Sequence, residues 1–288
     1  VGMLSEGQRI GDHYEVERFL GQGAFAEVYR VRHRFLGRQA MKVFKHIGSR
    51  EATEELLGEA ILLSRIGHPN IVRVFNADIV ETGSGRYGFF TMEYVPGGNL
   101  ADFWHSHGDR FTRIGEAVQI LRQICEGLAV AHGERPPIVH RDLTPQNILV
   151  GYDRDELRVR ISDFGLAKRT DLLTGLASAR GTLAFKSPEA LRYRKGDSTA
   201  GDVWAVGVIA YLMLTDTLPF HDVSSPVAFF GTPRNEPPPS PQLRNPEVDD
   251  ELAGIVLGAL EPNLRHRTPD AARMGERLRQ WHNGNARQ

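Results

Sequence analysis

The first third of the chain alternates apolar and polar positions. Residues 14–20, 25–33 and 38–44 carry the two-residue period of strands and are punctuated by Gly21, Gly23 and Gly37. Between Ser49 and Ile66 the period lengthens. Leu56, Leu57, Ala60, Leu63 and Ile66 share one helical face, and Gly67-His68-Pro69 is a stop signal. Residues 71–80 and 87–94 again read as strands, separated by the turn-rich Glu81-Thr82-Gly83-Ser84-Gly85. Pro96-Gly97-Gly98-Asn99 has the composition of a hinge. Beyond it the pattern is helical: Ile114, Ala117, Val118, Leu121, Ile124, Cys125 and Leu128 repeat at helical spacing. Residues 199–214 predict a buried helix, 226–246 an irregular surface connection, and 249–260 and 270–282 the last two helices.

This order predicts an α+β chain with a β-rich lobe over 1–95 and a mainly helical lobe over 96–288, together one domain. A cleft is expected at their junction, where ligand sites prefer to lie. The 288 residues are 41% hydrophobic and 25% charged, as in ordinary globular proteins. A formal net charge of −1 gives no electrostatic reason to expect nucleic acid or an anionic membrane as partner. Cys125 is the single cysteine, so no internal disulfide forms, which fits a reducing, cytoplasmic setting. The first ten residues lack an apolar signal core, and residues 203–214 are too short a stretch to span a bilayer. Val1-Gly2 ahead of Met3 points to a natural chain that extends further.

Four segments carry candidate chemistry. Gly21-Gln22-Gly23-Ala24-Phe25-Ala26 joins two strand patterns, and glycines there let backbone N–H groups approach phosphate oxygens. A plain hairpin turn would read the same way, but a following strand argues against a dinucleotide fold. Lys42, flanked by Met41 and Val43, is either a solvated strand lysine or a phosphate ligand held by Glu59 on the next helix. In His140-Arg141-Asp142-Leu143-Thr144-Pro145-Gln146-Asn147, a carboxylate and an amide stand five positions apart. Asp142 can align a hydroxyl and accept its proton, and Asn147 can hold a divalent cation. Asp163-Phe164-Gly165 lies 21 residues after Asp142, at a strand end, a placement that suits a Mg²⁺ ligand.

In order, Gly21/Gly23, Lys42, Glu59, His140-Arg141-Asp142, Asn147, Asp163-Phe164-Gly165, Ser187-Pro188-Glu189, Asp202 and Arg265 resemble the signature set of the eukaryotic-type protein kinases. The resemblance runs from about residue 14 to 283 and is strongest to the bacterial serine/threonine branch. It implies the bilobal kinase fold and transfer of the ATP γ-phosphoryl group to serine or threonine hydroxyls of a protein substrate, with Mg²⁺ or Mn²⁺. Adenine is expected against Leu20, Val28, Ala40 and Leu149, with Met92 as gatekeeper and hinge bonds near Glu93 and Val95. Gly21, Gln22, Gly23 and Lys42 are expected at the phosphates. Leu63, Val74, His140 and Phe164 match a stacked apolar column anchored by Asp202, and Glu189 is expected to pair with Arg265.

Two positions depart from the family pattern. Thr144 stands where a lysine usually faces the γ-phosphate, and Ser187 replaces an alanine. The first keeps alive a pseudokinase reading. A small-molecule phosphotransferase is the other alternative, disfavoured by Gly181-Thr182 and Ser187-Pro188-Glu189. Thr182 is expected to contact the catalytic aspartate. Arg141 implies control by phosphorylation of Ser178, Thr174 or Thr170 through self-association in trans.

Overall fold

A computed structural model describes residues 2–23, 26–45, 65–83, 85–108, 110, 113–164, 183–192, 198–220 and 236–285. The chain divides into two compact units, Val1–Pro96 and Gly97–Gln288.

The first unit is an antiparallel sheet: β1 (Arg9–Ile10), β2 (Tyr14–Gln22), β3 (Ala26–His33), β4 (Gly37–Phe44), β5 (Val74–Thr82) and β6 (Gly85–Glu93). The spatial order is β1-β2-β3-β4-β6-β5. Because side chains alternate across a strand, each register assigns residues to a face. Tyr29 pairs with Met41 and Val43 with Phe89, and these join Val16, Val31 and Val80 in a buried cluster on one face. Val28 pairs with Lys42, Lys42 with Phe90 and Ala40 with Met92, which puts the candidate ligand residues on the opposite face.

Two departures from the pattern have local causes. The strand expected from Ile71 starts at Val74, because the Ile71 N–H donates to the His68 carbonyl in a turn (3.1 Å). A bulge between Val16 and Arg18 sets Glu17 among Arg30, Arg32 and Arg38, at 2.6, 2.7 and 3.1 Å.

The second unit contains α1 (Leu100–Ser106), α2 (Ile114–Gly133), a 3-10 turn at Pro145–Asn147, the hairpin β7 (Ile148–Asp153) and β8 (Glu156–Ile161), α3 (Pro188–Arg192), α4 (Thr199–Thr215), α5 (Asp250–Ala259) and α6 (Ala271–Asn285). Every residue of α4 from Asp202 to Leu214 is buried, as its unbroken apolar run requires. Helix α1 is not expected from the apolar period, which the glycines before it interrupt. Its signal is a capping box: the Asn99 side chain accepts from the Asp102 N–H (2.9 Å), and the Asp102 carboxylate accepts from the Asn99 N–H (3.3 Å). Buried Gln123 on α2 clamps β8 by donating to the Leu157 carbonyl (3.0 Å) and accepting from the Val159 N–H (2.9 Å).

Among the described residues no helix is long and apolar enough to cross a membrane.

Candidate active site

In the second unit, the segment His140–Asn147 is held from two helices. Asp202, in the first turn of α4, accepts the His140 N–H (2.7 Å) and the Arg141 N–H (2.9 Å). His132 of α2 meets the same carboxylate at 2.9 Å. His140 is fully buried and bonds at both ring nitrogens. Its Nδ1 accepts from the Asp142 N–H (3.3 Å), so Nε2 carries the hydrogen that reaches the Ser162 carbonyl (2.8 Å). Arg141 adopts φ 72°, a left-handed conformation that costs about 1–3 kcal/mol for an L-residue and persists where surroundings enforce it. Here Asp202 enforces it.

The hairpin register brings the two candidate cation ligands together. Ile148 pairs with Ile161, and the ladder continues as the Ser162 N–H donates to the Asn147 carbonyl (2.8 Å) with the Ser162 hydroxyl at 3.1 Å. Asp163, at φ 61°, is therefore one residue beyond the rung that contains Asn147. The Asn147 Nδ2 donates to the Asp142 carbonyl (2.7 Å). A carbonyl only accepts, so this bond fixes the amide's orientation and turns its oxygen the other way. Phe164 packs on His140 with ring centroids 4.7 Å apart. Leu149 is half-buried on β7 and bridges to Asn99.

In the first unit, Ala40, Met92 and Val95 are buried, Val28 and Lys42 are half-buried, and Leu20 is exposed. The glycine hairpin closes with the Gly23 N–H donating to the Ala26 carbonyl (2.8 Å). Lys45 braces it by donating to the Gln22 side chain (3.1 Å) and the Gly23 carbonyl (2.9 Å). The Glu93 N–H donates to the Arg73 carbonyl (2.9 Å). Val74 is buried on β5.

Glu59, Leu63, Gly165, Thr170, Thr174, Ser178, Gly181 and Thr182 lie outside the described residues. Thr144 is 4% exposed, and its carbonyl accepts the Asn147 N–H (3.0 Å). One expected pairing is wrong. The partner of Glu189 is Arg267, at 2.6 Å, and Arg265 is exposed. The turn after Asn263 causes this: both His266 and Arg267 donate backbone N–H groups to its carbonyl (3.0 Å each), which rotates Arg267 inward. All five Arg267 donors are used, two on Glu189 and one each on the carbonyls of Glu261, Ala200 and Pro262.

Sequence reading also missed His132 and Lys186. The Lys186 ammonium donates to the Arg141 carbonyl and lies 3.8 Å from Asp142 Oδ1. Nothing in local spacing signals a contact across 45 residues.

The protein kinase domain model matches residues 14–264. A serine/threonine-protein kinase PknB from Mycolicibacterium smegmatis is 33% identical over 286 residues, covering 97% of this chain and 44% of that protein. A serine/threonine-protein kinase pkn3 from Myxococcus xanthus is 33% identical over 277 residues, 92% of this chain and 49% of that protein. The chain thus spans less than half the length of these curated relatives. The PknI kinase domain of Mycobacterium tuberculosis has the same fold, with a TM-score of 0.71, 22% identity, and coverage of 96% of this chain and 99% of that one. On these matches and on the ordered motifs they contain, the chain belongs to the protein kinase domain family.

Proposed function

We propose that this chain is the catalytic part of a serine/threonine protein kinase, transferring the γ-phosphoryl group of ATP to protein hydroxyls. The observation that carries the reading is the second unit's loop, where Asp142 is anchored through His140, Arg141 and Asp202 while Asp163 directly follows Ser162, whose N–H donates to the Asn147 carbonyl. An acceptor carboxylate, an oriented amide oxygen and a second carboxylate form the donor set that phosphoryl transfer requires. The names of the curated relatives support the same chemistry.

The residues fit a divalent cation held jointly with phosphates. Among the described residues no cluster of three or more His, Cys, Asp or Glu makes a self-sufficient metal site. Mg²⁺ is commonly bound by one or two protein groups plus substrate phosphates, which matches Asp163 with the Asn147 oxygen; Mn²⁺ suits the same oxygens. Such an ion, when bound, neutralises the phosphate oxygens. Lys42 adds a cation, the Gly21–Gly23 turn offers backbone donors, and Val28, Ala40 and Met92 provide an apolar face for a base.

Asp142 orients the incoming hydroxyl and receives its proton as the new P–O bond forms. The same reading places regulation on Thr174 or Ser178, phosphorylated in trans between two copies, and substrates among cytoplasmic proteins.

Incubation with Mg-ATP and a mixed protein substrate, followed by phosphosite mapping, tests the proposal. Phosphoserine and phosphothreonine should accumulate, and Asp142→Asn should lower the rate about 10²–10⁴-fold. Wild-type protein that yields no phosphoprotein overturns the reading in favour of a pseudokinase. Preferential transfer to an aminoglycoside or choline-like compound would make the chain a small-molecule phosphotransferase.

A further inference from the structure

We propose that Lys186 supplies the catalytic cation that the loop lacks at Thr144. The inference rests on the kinase reading above and deepens it. Thr144 brings a nearly buried hydroxyl and no charge to its position in the loop. Lys186, from the segment just ahead of α3, delivers an ammonium to the same loop from a different part of the chain. Its side chain is 22% exposed and that of Asp142 33%, so both reach solvent from one small cleft, lined also by Arg141, Leu143, Ser187 and Ser198.

Two contacts define the geometry. The ammonium donates to the Arg141 carbonyl, which locks its head group against the peptide that carries Asp142. It then stands 3.8 Å from Asp142 Oδ1, a charge–charge separation and not a hydrogen-bond length. A hydroxyl aligned by Asp142 places its oxygen within a few ångströms of that carboxylate, and the incoming phosphorus lies on the far side of the same oxygen. An ammonium carries three N–H donors, and the proposed role directs one of them from beside the carboxylate to the phosphoryl oxygens.

The step itself balances without any further reagent. The bond from the γ-phosphorus to the β–γ bridging oxygen breaks, a bond from that phosphorus to the substrate Oγ forms, and the hydroxyl proton passes to Asp142. ADP leaves with the negative charge. Lys186 stabilises the equatorial phosphoryl oxygens during the transfer, a form of charge stabilisation that preorganised donors provide most effectively.

Three variants separate charge from structure. Lys186→Met keeps bulk, Lys186→Gln keeps a donor for the Arg141 carbonyl without charge, and Lys186→Arg keeps both. Each is assayed for kcat and for KM of ATP and protein, with thermal melting as a fold check. Lys186→Gln and Lys186→Met should lose about 10²-fold in kcat with both KM values within about threefold of wild type, and Lys186→Arg should retain most of kcat.

Wild-type kcat in a folded Lys186→Gln overturns the proposal, and so does a Lys186→Arg as inactive as Lys186→Met. A loss confined to KM for substrates with acidic residues near the acceptor also overturns it and makes Lys186 a substrate reader. An active wild type with an insensitive Lys186→Gln leaves the kinase reading standing. An inactive wild type removes both.

Discussion

Gly97 shows how one missing side chain positions a site. A Cβ there would lie 2.2 Å from the Val150 carbonyl oxygen, one residue after the proposed adenine contact Leu149. The neighbouring Gly98 has φ 81°, and its carbonyl accepts the Val150 N–H (2.9 Å). The first residues of the second unit are thereby pressed onto β7. Gly97→Ala must push that strand away and should cost about 1–3 kcal/mol by thermal or denaturant melting. Gly254→Ala in α5, with nothing nearer than 3.9 Å, should instead stabilise by about 0.5–1 kcal/mol. An unchanged melt for Gly97→Ala would mean that β7 yields without resistance.

Pairings between elements set both stability and its pH dependence. Arg267 has a fully buried side chain, links α3 to the loop after α5, and lies 4.9 Å over the Trp204 ring. Burial by itself raises the Glu189 carboxyl, but the hydrogen bonds and charge of Arg267 outweigh it and hold the group below its ordinary value. A depressed folded value means the contribution is complete above the unfolded value near 4.5 and is lost as pH falls through the folded one. Arg267→Ala leaves a carboxylate without its partner and should cost about 3–5 kcal/mol at neutral pH. Glu189→Gln should flatten the acid limb of the stability profile, and an unaltered limb would remove this pair as its source. The existence of the Glu189 pair was legible in the sequence, but its partner was not. Arg265 and Arg267 are two positions apart in a segment without periodicity, and only the turn at Asn263 decides which faces inward.

At the scale of the whole molecule, a ligand that binds only the folded chain stabilises it by mass action, about 2.7 kcal/mol at a hundredfold excess over Kd. Mg-ATP should therefore raise Tm. Lys42→Ala in the first unit and Asp163→Ala in the second should each shrink that shift, and Asp163→Ala should shrink mainly the part that depends on Mg²⁺. A wild-type shift in either variant would take that residue out of the nucleotide assignment.

The sequence by itself determined the strand and helix periods, the buried α4 and the order of the kinase motifs. These depend on neighbours within a turn or a strand, where side-chain spacing alone dictates the face exposed. Only the tertiary structure decided that the β7–β8 register joins Asn147 to Ser162, that Arg267 meets Glu189 across 78 residues, and that Lys186 reaches Asp142. Such contacts follow the path of the whole chain, and no local pattern encodes which distant residue arrives.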